Sequence, residues 1–464
     1  MTRSAHWVQD SEIGFPASKL RGRLSSLKFF LRYPIFLLAF GPPQFKASVV
    51  GVDTSQAHFG FWNVLQVGWL LAIAMRAFFR LVSARSILIP RQIQSVLKYT
   101  FFLGMLFAVS ITYSPGVTVS AAFCVAYFLN LICVVEFLVD VYWNPPDWMQ
   151  CIVQMRLIAL ALFGLVLVCL LLEPAFVMTV TPDTGVRLMG GSIGTMPAIC
   201  PIIAIISAYC FLYKLESRVR SAVFFLASVI ALAVTQVRGA EISLLLVLAV
   251  LGIGWAKTST RSAYIVISAF MVSIILAGVT LGAIGGGRIW KTFNRGQDLT
   301  DIVTASGRTI YWEDLIQYSL GHPQGMGYIA GIRHAHLGRY AMVLHADLTG
   351  VGGTDNSYME VLADAGWLAL ALYLTLIVKT IILGLRFTKK AHLLTDDPDR
   401  DTRHALRCCL LLFMFFLIEG MEGSDFVIPL RQEFYFQFTI IAVILGASTS
   451  MLLASRPRRF ELSN

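Results

Sequence analysis

The chain is 464 residues long, 57% hydrophobic and only 14% charged, with a mean hydropathy of +0.71. A soluble globule carries about 25% charged residues, so this composition excludes one and predicts a polytopic membrane protein. The net charge of +10 does not point to nucleic acid, because the positive residues fall in short runs between apolar segments and not along one basic face.

The first 30 residues are basic (Arg3, Lys19, Arg21, Arg23, Lys28) and lack a short apolar core with a small-residue cleavage site. They read as a cytoplasmic segment, with no removable signal peptide. Residues 31–284 then offer nine apolar segments, at 31–52, 59–79, 97–113, 117–139, 152–173, 191–213, 221–237, 240–256 and 263–284, each near the roughly 20 residues needed to cross a hydrocarbon core. The first contains Gly41, Pro42 and Pro43 with Lys46 just after, so it is expected to be broken or re-entrant. A long loop at 285–357 follows, then segments at 358–385, 404–421 and 432–455 and a tail at 456–464. The expected fold is all-α, with about twelve transmembrane helices and one long external loop between the ninth and tenth. The eight cysteines (Cys124, Cys133, Cys151, Cys169, Cys200, Cys210, Cys408, Cys409) lie in or beside apolar segments, which gives neither a disulfide framework nor a thiolate metal site.

Lysines and arginines gather on one side of these segments: Arg76, Arg80, Arg85, Arg91, Lys98, Lys214, Arg218, Arg220, Lys257, Arg261, Arg386, Lys389, Lys390, Arg400, Arg403 and Arg407, with both termini. That side is expected to be cytoplasmic. The turn at Ser114-Pro115-Gly116, the loop from Glu173 to Met189 and the loop at 285–357 then face outward. An external site has no supply of cytoplasmic nucleotide sugars or ATP, and neither a Walker-type loop nor a dinucleotide turn after a strand is present. A lipid-linked donor suits such a site.

A loop of about seventy residues is too long for a mere connection. From Thr309 to Leu320 it reads as a helix, with Trp312, Leu315 and Ile316 on one stripe, Glu313 and Asp314 early, and Gly321 and Pro323 as its stop. Arg308, just before it, presents a fork that can grip a phosphate bidentately; it can equally pair with Glu313 or Asp314 at the surface. Arg238, between two apolar segments with almost no loop, is either an interfacial functional cation or the partner of Glu241 three residues on. Gly325 and Gly327 read as turn residues. His334 and His336 supply two donors where zinc needs three or four, so no metal is expected; no cofactor is expected either. His345 lies ten residues before Asp355, on the way into the next span. Glu360 and Asp364, four apart on one helix face, either line an acceptor groove or cap the outer end of a span. Tyr311, Trp312 and Tyr318 either stack on sugar rings or sit as interfacial aromatics.

The stretch Asp355-Asn356-Ser357-Tyr358, followed nine residues after Asn356 by Gly366, resembles the signature of the O-antigen ligase and polysaccharide polymerase superfamily, which is His-Asn, nine residues and Gly-x-x-Gly. RGAEISLLL from Arg238, SGRTIYWEDLIQYSLGHPQGMGY around Arg308, and RLMGGSIGTMP from Arg187 are similar, in the same order, to further family regions. Here Asp355 stands in place of the histidine and Ala369 in place of the last glycine. The resemblance implies a metal-independent, helical membrane glycosyltransferase, related to the C-type glycosyltransferase fold, in a bacterial inner membrane with its site facing the periplasm. Its donor would be a glycan on undecaprenyl diphosphate and its acceptor a second glycan, the lipid A core or a protein. A chain-length regulator and a flippase would be partners.

In that reading Arg308 and Arg238 bind the diphosphate, and Asp355, or His345 if it lies closer, accepts the acceptor's proton. Arg187, Asn356, His345, Trp312 and Tyr358 are the substrate-binding candidates. An aspartate, with an unperturbed pKa of about 3.9, is a weaker base than imidazole unless burial raises it. Asp355 favours the polymerase branch over the ligases. A transporter or flippase is the alternative of another class, against which stands the absence of matching halves with paired broken helices.

Overall fold

The computed structural model describes residues 26–38, 61–84, 89–174, 177–181, 185–188, 196–235, 237–257, 308–329, 356–388, 399–421, 429 and 432–454. Long apolar runs become helices here because a backbone without water must satisfy its polar groups internally. In chain order these are α1 (Ser26–Arg32), α2 (Ile35–Leu38), α3 (Phe61–Ser83), α4 (Arg91–Ser110, prolonged by a 3-10 turn to Tyr113) and α5 (Val117–Trp143). Then come α6 (Trp148–Leu172), α7 (Met196–Tyr213), α8 (Arg218–Thr235), α9 (Arg238–Ala256), α10 (Arg308–Gly321), α11 (Ser357–Thr388), α12 (Arg400–Glu419) and α13 (Gln432–Ala454).

Among the described residues, eight helices are long and apolar enough to cross a membrane: α4 with its 3-10 turn, α5, α6, α7, α8, α9, α11 and α13. The protein is a multi-pass membrane protein. These eight match the segments expected at 97–113, 117–139, 152–173, 191–213, 221–237, 240–256, 358–385 and 432–455. Those expected at 59–79 and 404–421 form α3 and α12, while 263–284 lies outside the described residues. The segment expected at 31–52 is described only to Leu38, where it forms two short helices parted at Tyr33 and Pro34. α2 and the link before it pack on α5, with the rings of Tyr33 and Phe36 at 5.8 and 6.1 Å from Phe137. An antiparallel hairpin, β1 (Met178–Thr181) with β2 (Gly185–Leu188), departs from the all-helical expectation.

Short links make successive helices antiparallel, so the bundle has two chemically distinct ends. One is basic. There Arg80 pairs with Glu136 and, at 2.9 Å, with Asp140, which Arg32 also approaches at 3.6 Å. Buried Arg156 of α6 forks onto both carboxylate oxygens of Glu216, in the α7–α8 link, and Arg220 and Ser221 add bonds of 2.7 and 2.8 Å. Burial pulls the Glu216 carboxyl upward, but the Arg156 fork with Ser221 and Arg220 outweighs it and leaves the pKa lowered to about 2. The α5–α6 link at this end closes with Asp147, whose Oδ1 accepts the N–H groups of Met149 and Gln150 and caps α6.

The core runs between the ends. α13 is buried along nearly all its length and packs on α5, α11 and α12, while α4 lies along α11. Phe107, Tyr127, Phe434 and Phe438 form an aromatic layer among them, Phe434 and Phe438 stacked at 4.3 Å.

Candidate active site

The end opposite the basic one is organised around a break in α11. Gly366 has φ 80° and ψ −175° inside an otherwise helical run, a region essentially reserved for glycine. A Cβ there would lie 2.0 Å from the carbonyl oxygen of Pro323, so the glycine is required by the approach of another segment of backbone.

That segment is residues 322–329, which follow α10. Gly325, at φ +83°, passes so near α11 that a Cβ would stand 2.7 Å from Ala365 N. Gly327, at φ +112°, lies equally close to Ser114, with 2.5 Å from a Cβ to its Cα. The break exposes helical carbonyls and an amide, and the loop pairs with them. Met326 N–H donates to Ala363 O (2.7 Å), Gly327 N–H to Asp364 O (2.9 Å), and Trp367 N–H to Pro323 O (3.1 Å). Groups left over by the kink thus find partners without water.

On its other side the loop is held by α4 and α5. Tyr328 N–H donates to Ser110 Oγ (3.0 Å), its carbonyl accepts from Ser120 Oγ, and its ring stacks on Phe107 at 4.1 Å. Tyr113 O–H donates to Gln324 O. Burial, with Tyr127 and Asp364 nearby, pushes the Tyr328 phenol well above its ordinary pKa, so it stays protonated.

α10 runs parallel to α11 in a fixed register. Trp367 Nε1 donates to Ser319 O at 3.1 Å, 48 residues apart, and the same offset separates Leu315 from Ala363 in one buried cluster with Trp312, Met326 and Met359. Two helices of equal rise carry that register back about two turns, which brings the Arg308 backbone level with Asn356.

The start of α11 is pinned as well. Asn356 Oδ1 accepts the N–H groups of Tyr358 (2.9 Å) and Met359 (3.1 Å), while its Nδ2 donates to Met421 O (3.0 Å). Ser357 N–H donates to Gly420 O at 2.8 Å, and Tyr358 O–H to Leu417 O at 2.8 Å. The end of α12 in turn meets α9, with Ser243 Oγ at 3.5 Å from Glu419 Oε2. Arg238 is the first residue of α9. A continuous run of contacts therefore joins the helix begun by Arg238 to the helix begun after Asn356.

The sequence candidates are thus partly gathered. Arg238, Asn356, Tyr358, Trp312 and the backbone of Arg308 share one end of the bundle. Asn356 and Tyr358 use polar atoms for capping and for tying α11 to α12, and Trp312 packs in the α10–α11 contact. Arg187 lies on β2 opposite Thr179, while its side chain, the Arg308 side chain, His345 and Asp355 lie outside the described residues, as do His334 and His336. Among the described residues no cluster of three or more His, Cys, Asp or Glu could hold a metal ion. The residues missed were Ser110, Ser120, Tyr113 and Tyr328, and the signal that pointed to their loop was its Pro-x-Gly-x-Gly spacing.

Residues 222–374 match the O-antigen ligase family. Over that stretch the chain is similar to the O-antigen ligase family. The O-antigen ligase match begins inside α8 and ends at Leu374, so it takes in Arg238, α10, the docked loop and the break in α11. Gly366, whose conformation and close approach to Pro323 are described above, lies inside the matched stretch. No match to a curated protein was found.

Proposed function

We propose that the protein transfers a glycan from an undecaprenyl-diphosphate donor to an acceptor hydroxyl at the non-basic, periplasmic end of the bundle, as a polysaccharide polymerase of the inner membrane. The observation that supports this is the register of α10 on α11, which brings the backbone of Arg308 level with Asn356, inside the stretch that matches the family.

In this reading the guanidinium groups of Arg308 and Arg238 hold the diphosphate and neutralise charge as it leaves. The acceptor oxygen forms a bond to the anomeric carbon while the bond from that carbon to the diphosphate oxygen breaks, the electron pair leaving with the lipid diphosphate. The hydroxyl proton passes to Asp355, or to His345. A single in-line displacement inverts the anomeric centre.

Transfer to a lipid A core or to protein is the second reading, favoured by the family's description as ligase; Asp355 in the histidine position favours polymerisation. The experiment measures product in membranes bearing Arg308→Ala, Arg238→Ala and Asp355→Asn at matched protein levels, with loss of product expected in each. Wild-type product from all three would show the site to be elsewhere. Surface polysaccharide from a deletion strain separates the two acceptors: single lipid-linked repeat units for a lost polymerase, long lipid-linked chains for a lost ligase.

A further inference from the structure

We infer that Asp364 is a positioning residue for this transfer, acting through the backbone of residues 327–329, and the inference rests on the glycosyltransferase reading above. Asp364 is 1% exposed, two residues before the break in α11. It grips the loop twice: its main-chain carbonyl accepts Gly327 N–H at 2.9 Å, and its carboxylate Oδ2 accepts Ile329 N–H at 2.8 Å. Between these points Tyr328 faces the other way, its N–H and carbonyl bonded to Ser110 and Ser120. Residues 327–329 are thus laced alternately to α11 and to the α4–α5 pair, as a short strand would be between two neighbours.

Ile329 shows what this lacing enforces. Its φ is 61°, a left-handed conformation that a β-branched residue rarely adopts unless its surroundings hold it there. The amide of that residue is the one that donates to Asp364 Oδ2. The bond therefore fixes the backbone direction at Ile329 and, through the loop, the seat of the helix that begins at Arg308. A turn needed only to connect two helices requires neither a buried carboxylate nor a left-handed isoleucine.

The test uses the full chain in lipid nanodiscs, with transfer from an undecaprenyl-diphosphate-linked repeat unit as one readout and amide exchange of the peptide covering 326–331 as the other. Asp364→Ala is expected to expose the Ile329 amide and to lower turnover about 100-fold, the scale of a misplacement near 1 Å. Exchange across 117–143 and 432–454 should stay at wild-type rates, which separates mispositioning from a loss of folded protein. Asp364→Asn keeps an acceptor oxygen and is expected to restore both protection and most of the turnover, with the pH profile unchanged.

An Asp364→Asn protein that keeps Ile329 protected yet is as inactive as Asp364→Ala would overturn the inference, by making the carboxylate a proton carrier. Full turnover in Asp364→Ala with the Ile329 amide exposed would overturn it too. Should Asp364→Ala fail to assemble, Ile329→Gly relaxes the exit direction with Asp364 intact; about a tenfold loss of turnover is expected, and wild-type turnover would refute the inference. A wild-type protein that transfers nothing under any condition removes the glycosyltransferase reading itself, a result distinct from wild-type transfer that survives loss of Asp364.

Discussion

Replacing Gly366 by alanine tests whether the docked loop is held by the break in α11. The added Cβ would stand 2.0 Å from Pro323 O, 2.7 Å from Gln324 C and 2.8 Å from Pro323 C. All three are backbone atoms, so no flexible side chain can swing aside. The conformation at φ 80°, ψ −175° costs a residue with a Cβ on the order of 1–3 kcal/mol. Relief requires the loop to withdraw, which breaks the three main-chain bonds to Ala363, Asp364 and Trp367, each worth about 1 kcal/mol. The total, about 4–6 kcal/mol, is local, so the loop is expected to undock while the remaining helices keep their packing. Glycan transfer should fall to below about a hundredth of wild type, and exchange at amides 326 and 327 should accelerate, with helical content unchanged. Gly321→Ala is the control, because a Cβ there meets nothing within 4 Å. A Gly366→Ala protein with wild-type transfer and full protection at 326 and 327 would refute the argument that the break holds the loop.

Asn356→Ala removes the cap of α11 and is expected to cost about 1 kcal/mol, read as a lowered thermal midpoint; Asn356→Asp keeps the cap, loses the bond to Met421, and should fall between. At the basic end, Arg156→Ala leaves Glu216 without its fork, and the loss expected for breaking a buried pair is about 3–5 kcal/mol, measured by thermal denaturation in detergent. The Glu216 pKa is depressed in the folded protein, so its contribution is complete above the unfolded value of 4.5 and disappears as pH falls toward about 2. Glu216→Gln should therefore flatten the acid limb of stability within that window, and an unchanged limb would show that the pair does not couple to folding.

The spans were legible because their signal is summed over some twenty residues, which a few polar side chains do not erase. Their ends were less so: α4 begins at Arg91 and α5 runs on to Trp143, since a helix continues past the apolar run that identifies it. The helix expected at 309–320 is α10, stopped by Gly321 and Pro323 as composition demanded. What periodicity could not supply was the partner of each turn. Gly325 and Gly327 look like ordinary loop glycines until a kinked helix is laid against them. Glu360 and Asp364 offered a groove or a cap, and the role found for the Asp364 carboxylate, an acceptor for an amide 35 residues away, leaves no local trace. Ser110 and Ser120 were invisible for a similar reason. A serine in an apolar helix usually bonds its own backbone, as Ser110 Oγ also does to Phe107 O, and nothing in sequence marks the serine that also receives a distant amide.

The loop at 322–329 touches residues 107–120 on one side and 363–367 on the other. A chain that enters the membrane segment by segment from its N-terminus has the first of these faces early, and the second only once α11 has followed. Until then the loop has half its acceptors, and α10 has no register to adopt. A chain ending before residue 363 lacks the Ala363, Asp364 and Trp367 partners of the loop, and with them the register that seats the Arg308 backbone.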